Sequence, residues 1–216
     1  MNKCKYLLLG VVVALLCTAC SDETQQMTTI SIDKKGTVEH TIVEEFGAGY
    51  SLDDLQQMLL GEVASFQKNH ITDTADEIKV SKVEMTGEDQ VLIQMTFPTV
   101  EDFTLFQNMK AVEKRDFFFG TVKEAYDAGY SLNVTLHERE DDSVLLDQTG
   151  ILSCGDQKMI IYDPNINYDS QQGIGAPVII RTYDSIYALS DNIVLQGKKD
   201  AWIGNTSDLA YIILDN

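Results

Sequence analysis

From Thr29 onward the chain alternates. Ile30 and Ile32 flank Ser31, the turn-forming Asp33-Lys34-Lys35-Gly36 follows, and Val38, His40, Ile42 and Phe46 then return to one face. A period of two on either side of an Asp/Gly turn predicts a β-hairpin. At Ser51 the period changes: Leu52, Leu55, Leu59, Val63 and Phe66 recur every three or four residues, with Ser51 and Asp54 placed as an N-cap pair. This is the apolar stripe of an amphipathic helix, predicted over 52–68. Alternation resumes over 78–85 and 91–97 around Gly87-Glu88-Asp89, a second hairpin. Pro98 ends it, and Thr99 caps a short helix with Val100, Phe103 and Phe106 facing inward.

Residues 111–130 are less regular, with a helix near 122–127. Strands are expected at 132–136 and 143–146 around the acidic turn Glu138-Arg139-Glu140-Asp141-Asp142, then at 158–162, 178–183, 193–196, 201–203 and 209–214. The fold class predicted is α+β: largely antiparallel strands, with one long and one or two short helices packed on one side, in a single domain over 29–216. Ala-Gly-Tyr-Ser-Leu occurs at 48–52 and again at 128–132. The first copy leads into a helix and the second into a strand pattern, so it reads as a reused Gly-Tyr turn rather than a structural repeat.

Ahead of this body the pattern differs. Met1-Asn2-Lys3-Cys4-Lys5 is basic, and residues 6–16 carry no charge. That run is shorter than the roughly 20 apolar residues a membrane span needs, so it reads as a targeting segment. Leu16-Cys17-Thr18-Ala19-Cys20 resembles the lipobox of bacterial lipoproteins, although Cys17 stands where the family has a larger aliphatic residue. The resemblance implies removal of residues 1–19 and attachment of lipid to the Cys20 thiol. Polar residues 21–28 then form a tether. Two or three acyl chains, at about 0.8 kcal/mol per buried methylene, hold a protein at a bilayer essentially permanently.

Loss of Lys3 and Lys5 leaves 14 basic against 34 acidic residues, a net charge of −20. Such a field repels phosphate backbones and excludes most nucleic-acid roles. With Cys4 and Cys17 removed and Cys20 lipidated, Cys154 is the sole free thiol, so no internal disulfide is expected. A body this size buries enough apolar surface to dispense with one. Cys154 reads as a small buried residue, since no histidine partner stands near it in sequence.

The order hairpin, long helix, hairpin, the helix entered through Phe97-Pro98-Thr99-Val100-Glu101-Asp102-Phe103, and the segment from Asn192 to Trp202 resembles the LppM-type domain of bacterial surface lipoproteins. The resemblance covers most of 29–214. It implies an α+β envelope domain without known catalytic residues, with lipid or glycolipid contact as an expectation. That family commonly carries a membrane-spanning helix near its C-terminus; here Ala210-Tyr211-Ile212-Ile213-Leu214 is too short to span and reads as a last buried strand.

Candidate chemistry is sparse. His40, His70 and His137 show no metal-ligand spacing, and His137-Glu138 lacks the second histidine of a zinc-protease helix. His40 falls on an apolar strand face and reads as a hydrogen-bonded core or boundary residue. Asp163, Asn165, Asn167 and Asp169 alternate like the start of a calcium loop, but Tyr168 occupies the glycine position and Ile174 the closing glutamate. An Asx-rich turn is the plain reading, and a calcium site of another kind the alternative. Gly173-Ile174-Gly175-Ala176-Pro177 reads as a connector. Phe117, Phe118 and Phe119, after Lys114-Arg115, cannot all face one core from a regular element. Either they are buried between helices and sheet, or one ring lines an apolar ligand groove or dips into a bilayer surface. Trp202 carries the same two readings. No cofactor motif and no catalytic constellation is legible.

The function expected from these features is a membrane-anchored, extracytoplasmic, non-enzymatic domain that binds an apolar or glycolipid ligand or an envelope partner. The alternative is a structural or assembly module that works through protein contacts.

Overall fold

The computed structural model describes residues 27–47, 49, 51–70, 77–87, 89–109, 111, 113–169 and 174–215, of which 167–169 and 174–175 are described in their backbone only. Elements are numbered in chain order. The first hairpin is β1 (Thr29–Ile32) and β2 (Val38–Glu45), turned through Gly36 at a φ of 88°, with the Asp33 carboxylate accepting the amide protons of Lys35 and Thr37. The long helix α1 spans Leu52–His70, opened by the Ser51 hydroxyl oxygen, which accepts from the Asp54 amide. The second hairpin is β3 (Lys79–Met85) and β4 (Gln90–Phe97). Helix α2 (Val100–Gln107) follows, and its Thr99 cap accepts from the Asp102 amide.

Two sheets result. In the first, β1 runs parallel to β11 (Val178–Thr182), which pairs with β14 (Asp200–Ile203), itself paired with β13 (Ile193–Gln196). The order is β13-β14-β11-β1-β2-β4-β3, antiparallel except at β1–β11. The second sheet is antiparallel throughout: β5 (Phe117–Thr121), β8 (Lys158–Tyr162), β15 (Ala210–Leu214), β12 (Ile186–Leu189), β6 (Leu136–Glu138) and β7 (Leu145–Leu146). Helices α3 (Val122–Asp127) and α4 (Gln148–Ser153) lie in its connections, and a short ribbon pairs β9 (Tyr168–Asp169) with β10 (Ile174–Gly175). The expected α+β class, largely antiparallel, is the observed one.

Alternation decides which surfaces meet. The inner face of the first sheet, including Ile30, Val38, Ile93, Phe97 and Ile180, packs with Leu59, Val63 and Phe66 of α1 and with Val100 and Phe103 of α2. The same core takes in Ile160, Tyr162, Ile212 and Leu214 from one face of the second sheet. The opposite face of that sheet, with Met159, Ile161, Tyr211 and Ile213, forms a second core beneath Val122 and Ala125 of α3 and Ile151 of α4. Strands β8 and β15 are thus buried on both faces, which is why Met-Ile-Ile-Tyr and Ala-Tyr-Ile-Ile-Leu are unbroken apolar runs.

The structure departs from the sequence pattern in four places. Residues 132–135 are not strand, although Leu132 is buried; pairing starts at Leu136. Strand β12 and helix α4 are unannounced, because each is short and one of them buries a single apolar residue, Ile151. Phe117–Thr121 is an edge strand rather than an irregular stretch. Helices α1 and α2 pack on the inner face of the first sheet and α3 and α4 on the opposite face of the second, rather than together on one side, so the outer face of the first sheet carries no helix among the described residues.

Candidate functional site

The register of the first sheet places side chains from distant parts of the chain in rows across that outer face. One row reads Val194, Trp202, Ile179, Thr29, Thr41, Gln94, Lys82, from β13 to β3. Its neighbour begins Gln196, Asp200, Arg181, Ser31, Glu39. A groove of about 370 Å³ runs over the centre, lined by Met27, Thr29, Ser31, Glu39, Thr41, Lys82, Glu84, Thr86, Leu92, Gln94 and Arg181. Its floor is polar because these positions alternate with the core residues on each strand.

Some of these groups are already engaged. Arg181 donates from Nε and Nη2 to the two carboxylate oxygens of Asp200, both at 2.9 Å, a fork-to-fork pair between neighbouring strands. Lys82 pairs with Glu84 at 2.7 Å. The Thr29 hydroxyl donates to the Met27 carbonyl at 3.1 Å. By contrast, the side chains of Ser31, Glu39, Thr41 and Gln94 have no hydrogen-bond partner among the described residues, though Ser31, Thr41 and Gln94 are half-buried. A half-buried donor or acceptor without a protein partner is held by solvent or by a ligand.

No protein-family model matches this chain, and neither does any curated protein or solved structure. The face is therefore judged on its own chemistry. Its signal in the sequence was weak, because Thr29, Thr41 and Gln94 look like ordinary solvent-side partners in an alternating strand.

The aromatic triplet lies elsewhere, divided between the two cores by strand alternation. Phe117 is buried and meets Phe103 at 5.7 Å and Tyr162 at 5.1 Å, edge to face. Phe118 turns into the second core against Tyr130 at 5.0 Å. Phe119 packs, half-buried, between Gly36 and Tyr183 with the Lys158 ammonium 5.4 Å from its ring centre. Three adjacent rings that could not share one core have two.

Of the oxygen-rich segment, Asp163 accepts from the Asn165 backbone at 2.9 Å and side chain at 2.8 Å and stands 3.9 Å from Arg115. The side chains of Asn167 and Asp169 lie outside the described residues, as does Cys20 with the whole of 1–26. No group of three or more metal-capable side chains occurs among the described residues. His70 stacks on Phe66, ring centres 4.5 Å apart, at the end of α1. His137 bridges the acidic turn and the β12–β13 turn through the Asp142 carbonyl at 3.0 Å and the Asp191 carboxylate, contacts that raise its pKa. Cys154 is half-buried, its thiol pushed up by burial. His40 is buried in the main core, where desolvation lowers it to about 4.

Proposed function

We propose that this chain is a lipid-anchored, extracytoplasmic binding domain that engages its ligand through the outer face of the seven-stranded sheet. The observation carrying this reading is a sheet face without a helix whose central side chains, Ser31, Glu39, Thr41 and Gln94, have no hydrogen-bond partner among the described residues. The groups whose protonation the fold shifts furthest sit away from it. His40 and Tyr162 are in the main core, and Tyr187 donates to Glu138 at 2.6 Å across the second sheet. Binding rather than proton transfer is the chemistry this face supports.

The tether enters at the same face. Met27 lines the groove, and the Thr28 hydroxyl accepts from the Val43 amide at 3.3 Å, so residues 21–28 reach at most about 28 Å from a lipidated Cys20. The rival reading, assembly through an unpaired strand edge, fits less well at β3. Edge strand β3 carries Lys79, Lys82 and a register shift beside Ser81, features that discourage strand addition.

The test has two arms. Radiolabelled palmitate is expected to enter the wild-type chain and not Cys20→Ser, which should also leave the membrane fraction. A photo-crosslinking residue at Thr41 should capture a cellular component in living cells, while one at Tyr126, exposed on α3, should not. Equal membrane retention in Cys20→Ser removes the anchor; silence at Thr41 removes the binding face.

A further inference from the structure

The outer face also carries the marks of a ligand class. We infer that it binds a neutral polysaccharide, with Trp202 as the platform on which one sugar ring stacks; this rests on the reading of that face as the binding surface. A sugar ring presents two chemistries at once: a flat face of C–H groups that packs on an aromatic ring, and a rim of hydroxyls that both donate and accept. The outer face carries both in one row.

The indole is laid down for this use. A Cβ at Gly204 would come within 2.8 Å of the Trp202 Cη2 and 3.3 Å of Cζ3. Because position 204 lacks a side chain, the six-membered ring has room to lie over it along its own strand, half-buried on the outer face. It stands in register between Ile179, fully buried, and Val194, which is 54 % exposed on the edge strand. Along the same row follow the hydroxyl of Thr41 and the amide of Gln94, and beside them Ser31 and Glu39, whose side chains have no hydrogen-bond partner among the described residues. Hydroxyl, amide and carboxylate groups together match the mixed donor and acceptor demand of sugar hydroxyls.

Charge narrows the class. Within the groove Arg181 is held by Asp200 and Lys82 by Glu84, which leaves Glu39 without an ion pair among the described residues, in a chain of net charge −18. The long-range field repels an anionic polymer and leaves a neutral one unaffected. Size narrows it further: Trp202 and Thr41 stand three strand spacings apart in the row, about 14 Å, more than one sugar ring covers.

Trp202 is the chain's one tryptophan, so its fluorescence reports directly on this face. The full chain, isolated in a detergent without a sugar headgroup, is titrated with maltohexaose, cellohexaose, xylohexaose and mannan, and with polygalacturonate as the anionic arm. At least one neutral polymer is expected to give a saturable shift of the tryptophan emission. By calorimetry, Trp202→Ala should weaken its binding about tenfold or more, Trp202→Phe should keep most of it, and Thr41→Arg should abolish it by filling the groove. No emission change with any neutral polymer, a preference for polygalacturonate, or binding unaffected by Trp202→Ala and Thr41→Arg each overturns the inference. If Thr41 crosslinks in cells to a protein while no sugar moves the emission, the polysaccharide is wrong and the binding face stands; if both are silent, both fall.

Discussion

His40 makes the stability of this fold depend on pH in a way that one substitution isolates. Its ring lies on the inner face of β2, edge-on to Phe103 with ring centres 5.1 Å apart and 2 % exposed. The Gln107 amide nitrogen stands 3.5 Å from Nδ1, and Nε2 has no partner among the described residues. Protonation would place a charge among apolar side chains, so burial lowers the pKa from 6.5 to about 4. The unfolded chain takes up a proton that the folded one refuses. Stability is therefore full above pH 6.5, falls as the pH drops, and reaches its full loss near pH 4.

At 1.36 kcal/mol per pH unit, that gap amounts to about 3 kcal/mol in all, of which about 2.5 kcal/mol is lost by pH 4.5. His40→Leu removes the titration and the unpartnered nitrogen, and Gln107 is half-buried at the surface end of α2, where water can replace the ring. Urea unfolding at pH 7.5 should find the variant within about 1 kcal/mol of wild type. At pH 4.5 the variant should gain about 2.5 kcal/mol relative to wild type, whatever the carboxylates do to both. An equal difference at the two pH values would refute the assignment of the acid sensitivity to His40.

Gly120→Ala should destabilise the fold by about 1–3 kcal/mol in the same assay, because the new methyl would lie 2.5 Å from Phe118 Cζ and 2.9 Å from the Glu124 carboxylate that accepts from the Thr121 amide; wild-type stability would contradict the packing described. The His137 ring should titrate above 6.5 by NMR, because the Asp142 carbonyl and the Asp191 carboxylate favour its charged form; that contribution is present below 6.5 and lost as the pH rises through the folded pKa, and a midpoint at or below 6.5 would remove the bridge. Cys154 should react with a thiol alkylating reagent more slowly than a free cysteine at neutral pH and regain the ordinary rate in urea; equal rates would mean the thiol is not held in the second core.

The first half of the fold was legible because its strands and its long helix each hide one face. Ile30 and Ile32 alternate, α1 carries its stripe, and the caps at Ser51 and Thr99 lie where the pattern asked for them. Burial on two faces erases such a pattern, so the second half showed strands without showing what they faced. The consecutive phenylalanines 117–119 were a direct trace of this: three rings without a common core mean two cores, and hence a second sheet between them.

The candidate site was illegible for a different reason. Thr29, Thr41, Ser31 and Gln94 are what any solvent-facing strand position holds, and Trp202 in isolation reads as core. They become a site only through the parallel pairing of β1 with β11, which sets Thr29 beside Ile179 and so brings Trp202, Arg181 and Asp200 from near the end of the chain onto the face built at its beginning. A parallel pair has no hairpin turn to announce it, because its strands join through a long connection. The chemistry of this face therefore resides in a long-range register, and a change that disturbs β1–β11 pairing would separate the indole from the polar row without touching either.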